Sequence, residues 1–423
     1  MIALSNKSRE WAAAFVLFLF WPFGTLLCGL TKLKSEFFIA SYVFFSIIFC
    51  WNLDVLPNST YDDLSGIASV FMENDIDTQD FLNILYKYFT WHEDATRELY
   101  IYFIIWLTRL FSDNPHAFFA ICSVPYLFFQ TACLRIIIKN RHFHVGIYGV
   151  LILFLFILPR DIITVQNPRF TTALWLCIYV YMSFLNNNES SNKKLWLLLL
   201  TPLIHSSFWI YLPVFALGII LTKFQKSLFT AVYLALFFAE GTYLMMQNTN
   251  ILSVLPLPSA LRGWWEANLN LNIETPRIGT GFYWVPSFFS TLRFLAYLSI
   301  PCILWKHRAK INENPISRKM FAYYLYFFAF CNFVKYVPSL GVRSFWMVEI
   351  ISVYLLFLFL GSQSKRYLFL ILACSSFMIY SRYLSPGGTS SRVVPNRVFY
   401  FSAPSLVLQY WGCEKMNVIK LKF

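Results

Sequence analysis

Three arginines, a histidine and a handful of acids stand where this chain could bind anions or move protons. In the run Arg160-Asp-Ile-Ile-Thr-Val-Gln-Asn167-Pro168-Arg169-Phe, Asn167 is a good helix cap and Pro168 suits the first helical position, which puts Arg169 in the first turn. A helix start already favours anions through its free N–H groups and its dipole, so a guanidinium there makes an oxyanion site. Pro338-Ser-Leu-Gly-Val-Arg343-Ser-Phe-Trp repeats that arrangement, and two such arginines can grip one diphosphate. Leu200-Thr-Pro-Leu-Ile-His205-Ser206-Ser207 places a titratable ring at a break in an apolar run, with two serines available to cap the next half-helix.

A second group is acidic and aromatic. Residues 54–98 carry ten acids, among them Asp62, Asp63 and Glu98, against Lys87 and Arg97 as the bases. Asp62, Asp63 or Glu98 can serve as a catalytic carboxylate. The acids otherwise read as solvated, and neither a metal nor a cofactor is expected. Trp264, Trp265 and Arg277 sit in a loop whose flat rings suit sugar faces, and Arg160 joins Arg277 as a candidate for binding substrate.

The elements that position these residues are helices in a bilayer. Of the 423 residues 58% are apolar and only 13% charged, with 46 phenylalanines, too few charges to coat a soluble protein of this size. Apolar runs of spanning length predict helices over 11–30, 37–53, 117–138, 145–159, 170–185, 227–246, 287–305, 320–337, 343–360 and 367–383. This is an all-α polytopic bundle of about ten spans. Leu99–Phe111 is too short to cross and reads as an interfacial or loop helix, while Leu195–Thr222, interrupted by Pro202, His205 and Pro213, reads as a broken or re-entrant pair. The net charge of +13 fits basic cytoplasmic loops and calls for no nucleic acid. Eight of the nine cysteines lie inside apolar runs, without metal-ligand spacing.

Lysine sets the orientation. Lys32/Lys34, Lys139/Arg141, Lys193/Lys194, Lys223/Lys226, Lys306–Lys319 and Lys365/Arg366 all fall on one side, the cytoplasmic one, if the broken pair returns to its starting face. The other side then holds Arg160, Arg169, Arg277 and Arg343, arginines that run against the positive-inside bias. One membrane domain over 1–423 is the economical reading, with external loops at 54–116 and 247–286 and an external or interfacial tail at 384–423.

The order of features is Tyr61-Asp62-Asp63 after the second span, Glu98-Leu-Tyr before a short helix, Arg169 opening a span, the His205-Ser-Ser break and finally Arg343. In this the chain resembles the EpsG-like, O-antigen (Wzy-class) polysaccharide repeat-unit polymerases over most of residues 50–350. The resemblance implies a GT-C-like glycosyltransferase of the bacterial inner membrane, working on the periplasmic face. It would transfer a growing glycan from undecaprenyl pyrophosphate onto a new lipid-linked repeat, beside a chain-length regulator and a flippase. Arg169 and Arg343 would stabilise the leaving diphosphate, and His205 or a carboxylate such as Asp62 would act on the acceptor hydroxyl. The rival readings are a lipid-linked oligosaccharide flippase or transporter, a membrane acyltransferase and an O-antigen ligase. The transporter reading calls for internal repeats, which the sequence does not show.

Overall fold

An Asn-Pro pair starts three of the long helices, because proline supplies the preset φ of the first helical residue and needs no hydrogen bond for a missing N–H. Asn114 and Asn314 complete the motif by accepting the N–H of His116 and Ile316 on their side chains. Asn167 departs from its expected role. Its backbone carbonyl accepts the N–H of Thr171, but its buried side-chain oxygen has no hydrogen-bond partner among the described residues.

In the computed structural model the described residues are 5–53, 70–72, 76–90, 92, 96, 98–161, 167–186, 195–221, 224–248, 284–337, 339–381 and 396–410. All their regular structure is helical. The helices are α1 (Asn6–Phe20), α2 (Pro22–Leu30), α3 (Glu36–Trp51), α4 (Thr78–Phe89), α5 (Tyr100–Arg109), α6 (Pro115–Ile138) and α7 (Ile147–Ile157), which tightens into a 3-10 turn at Leu158–Arg160. They continue as α8 (Pro168–Asn186), a 3-10 turn Trp196–Leu200, α9 (Thr201–Ile204), α10 (Phe208–Ile220), α11 (Gln225–Asn248), α12 (Trp284–Leu298), α13 (Ile300–Lys306) and α14 (Arg308–Asn312). The last are α15 (Pro315–Phe333), α16 (Leu340–Leu360), α17 (Lys365–Cys374), α18 (Ser376–Ile379) and α19 (Ala403–Leu408). Among the described residues, the stretches Pro115–Ile138, Ser287–Lys306 and Leu340–Cys374 are long and apolar enough to cross a membrane.

The core runs through α3, α6, α8, α15 and α16, whose inward rings include Tyr126, Trp175, Tyr324 and Tyr354. One sequence expectation changes here. The span expected over 11–30 is two helices: Pro22 forces Trp21 into an extended conformation (φ −154°), and the Trp21 indole N–H then donates to Phe399 O at 2.7 Å. The short helix over Leu99–Phe111 rests on α6 by one face, with Tyr100, Ile101, Ile104 and Ile105 buried, and leaves Phe103 and Leu110 exposed on the other.

The segment 195–220 folds as a hairpin. Leu195, Leu198 and Phe215 all line one cavity against Cys177 and Tyr181 of α8, so both limbs lie beside the same part of that helix. His205 is extended (φ −148°, ψ 122°) at the turn between them. Pro202 sits at the N-terminal end of α9, where a missing N–H is tolerated.

Candidate functional site

The tip of that hairpin meets the starts of α5, α8 and α16 and the end of α7. Each contributing backbone is locked by a polar bond close to the residue it presents. Tyr100 OH lies 3.2 Å from Thr172 Oγ1, joining α5 to α8 beside Glu98 and Arg169. Tyr211 OH lies 2.9 Å from Ser344 Oγ, joining α10 to α16 beside Arg343. Gln130 Nε2 donates to Arg160 O at 3.2 Å while its amide oxygen accepts from Tyr42 OH at 2.7 Å, which fixes the 3-10 turn after α7. Leu99 N–H donates to Leu203 O at 3.1 Å and pins the tip to the start of α5.

Glu98 is the centre of the cluster. Its Oε2 accepts from Arg169 Nη1 at 2.8 Å, and its Oε1 accepts both the N–H and the hydroxyl of Ser206 at 3.0 Å. The side chain is only 7% exposed, and such a set of donors offsets the cost of burying its oxygens. Arg169 keeps 26% of its side chain exposed, so the pair has one buried and one accessible member.

His205 Nδ1 lies 3.9 Å from Glu98 Oε1, beyond hydrogen-bond reach. The same nitrogen accepts the Ser207 N–H at 3.1 Å and stands 2.7 Å from the Ser207 hydroxyl. A backbone N–H can only donate, so Nδ1 carries a lone pair and the ring proton sits on Nε2. Ser207 thus selects the tautomer in which Nε2 is the donor.

Aromatic faces gather the other cations. The Arg160 guanidinium lies 3.4 Å from the Trp346 ring centroid, and Arg160 and Arg343 each stand 5.2 Å from the Phe170 ring. Phe170 also packs edge-on to His205, with centroids 5.4 Å apart. Arg160, Arg169 and Arg343 all act electrostatically on His205. Arg160 is buried, and a cation placed over a desolvated indole gains about 2 kcal/mol. Positive charge held this way, in a partly desolvated cluster, can receive a polyanion without reorganising.

Of the residues singled out in the sequence, Glu98, Arg160, Arg169, His205 and Arg343 come together at this one end of the bundle. Asp62, Asp63, Trp264, Trp265 and Arg277 lie outside the described residues. Two further features come from the structure. Gln130 and the buried ion pair between Arg293 and Glu349 both interrupt apolar helices with polar side chains, and that interruption is the sequence signal that marks them. Searched against protein-family models, the chain matches none, and no curated protein and no solved structure matches it either.

Proposed function

We propose that this chain is a membrane glycosyltransferase that polymerises undecaprenyl-pyrophosphate-linked oligosaccharide repeats into O-antigen or exopolysaccharide. In this reading about ten spans form a GT-C-like bundle in the bacterial inner membrane, and the arginine cluster faces the periplasm. The observation that carries it is the convergence of three guanidiniums and a neutral imidazole in one cluster built from helix ends.

Such a cluster suits a diphosphate leaving group. As the sugar C1–O bond to the diphosphate breaks, negative charge grows on the departing oxygen, and Arg169, Arg343 and the Nε2–H of His205 meet it with fixed donors. Arg160 lies over the Trp346 ring beside them. Glu98 is already saturated by Arg169 and Ser206, so it acts as a positioning residue rather than as the base. Asp62 and Asp63 are then the carboxylates available to take the proton from the acceptor hydroxyl.

The test is the banding pattern of surface polysaccharide from a strain carrying Arg169→Ala, checked for normal membrane insertion. The expected result is collapse of the ladder to a single repeat unit, as in a deletion strain; an unchanged ladder overturns the reading. Loss of lipid-linked oligosaccharide export with no extension defect would point to a flippase. Normal chain length with missing acetyl groups would point to an acyltransferase, and full-length polymer left on its carrier to a ligase.

A further inference from the structure

A cavity of about 280 Å³ lies between α12, the end of α15 and the start of α16, lined by Ser290, Arg293, Phe294, Lys335, Phe345 and Trp346 among others. It borders the arginine cluster, because Trp346, which lines it, also carries the Arg160 guanidinium. The two cations on its lining differ. Arg293 is engaged by the buried carboxylate of Glu349. Lys335 is half-buried, and its contacts are with rings: Nζ sits 4.0 Å from the Phe294 centroid and 5.3 Å from that of Tyr336. Among the described residues no carboxylate lies within ion-pair distance of it.

Gly341 holds this geometry together. A Cβ there would meet the Lys335 carbonyl oxygen at 2.3 Å, so only glycine lets the end of α15 approach the start of α16 this closely. The lysine is presented at a backbone contact with no slack, between the middle of α12 and the start of α16.

The lining has the chemistry of a sugar site with one charge. Aromatic faces (Phe294, Phe345, Trp346) suit the apolar face of a pyranose, and the Ser290 and Thr291 hydroxyls suit its oxygens. A single ammonium is a point charge, matched to one carboxylate, whereas the forked guanidiniums next door match a diphosphate. The volume sits near the lower end of the ~300 Å³ at which small-molecule pockets begin, room for about one ring.

We propose that this cavity is a subsite for an acidic sugar of the lipid-linked glycan, with the uronate carboxylate on Lys335 and the ring on Trp346. The inference rests on the glycan-polymerase reading, and it narrows the substrate to repeat units that contain a uronic acid.

Binding can be measured without polymerisation. Purified protein in nanodiscs is titrated with methyl β-D-glucuronide and with methyl β-D-glucoside, which differ only at the carboxylate carbon, by ligand-observed NMR. The expected result is glucuronide binding about fivefold tighter than glucoside, the ratio that one partly screened charge pair gives. Lys335→Gln removes the preference, Lys335→Arg keeps it, and Arg169→Ala leaves it unchanged. Equal binding of the two glycosides, or a preference that survives Lys335→Gln, overturns the subsite even if Arg169→Ala abolishes the polymer. A Lys335-dependent preference alongside a normal ladder in Arg169→Ala keeps the acidic-sugar site and overturns the polymerase reading instead.

Discussion

Glu98 and Arg169, 71 residues apart in the chain, meet at 2.8 Å, and the same carboxylate holds the hairpin tip through both donors of Ser206. One buried anion therefore sets where the accessible guanidinium stands and how deep the tip reaches. Removing either partner of a buried pair leaves an uncompensated charge. Glu98→Gln is expected to lower stability by about 3 kcal/mol in detergent unfolding titrations, and Arg169→Gln by a similar amount. The double variant should cost less than their sum, with a coupling of about 2 kcal/mol. Additive losses would show that the two residues do not act as a pair.

The adjacent serines separate by role. Ser206→Ala removes a donor from the buried carboxylate and should cost about 2 kcal/mol of stability. Ser207→Ala leaves the backbone N–H on His205 Nδ1, so the tautomer is retained and polymer output should fall by less than about fivefold. Thermal melts and polysaccharide ladders of the two variants, compared side by side, check the order.

Arg160 is held by its plane as much as by its charge. A lysine keeps the charge but cannot stack on Trp346 at 3.4 Å while fanning donors into the cluster. Arg160→Lys is expected to insert normally and to reduce polymer by about tenfold, nearly as much as Arg160→Ala. Densitometry of the ladder reads this directly, and wild-type output from the lysine variant would contradict it.

Gly341→Ala forces a methyl against the Lys335 carbonyl, where the obstacle is backbone rather than a flexible side chain. The end of α15 must move off α16, at a cost of about 1–3 kcal/mol. The midpoint of thermal unfolding should drop accordingly, and the glucuronide preference should weaken with it.

The described part of the C-terminal segment is clamped onto the same bundle. Tyr410 stacks on His116 with centroids 3.8 Å apart, accepts Asn114 Nδ2 on its carbonyl at 2.7 Å and is bonded by Arg397 through its hydroxyl. Tyr410→Ala is expected to cost about 3 kcal/mol and to open residues 396–410 to limited proteolysis, with cleavage mapped by mass spectrometry.

Much of the site is legible in the sequence because its signals are local. The Asn-Pro pairs announce helix starts within two residues, and Arg169 follows from Asn167-Pro168 alone. The break at His205 follows from Pro202 and the serines within an apolar run. The break at Trp21 is masked although Pro22 signals it, because unbroken hydropathy over 11–30 outweighs the backbone limit that proline imposes on its neighbour.

Composition and periodicity by themselves determined that this chain is helical and apolar enough for a bilayer, and they located the helix starts that carry Arg169 and Arg343. Those properties depend on residues within one or two turns of each other. Only the tertiary structure decided that Glu98 serves Arg169 and the hairpin tip, that Arg160 lies on Trp346 and that Lys335 faces a cavity sharing that tryptophan. Those pairings join residues far apart in the chain, and the packing of whole helices against one another sets them, through contacts that no local pattern encodes.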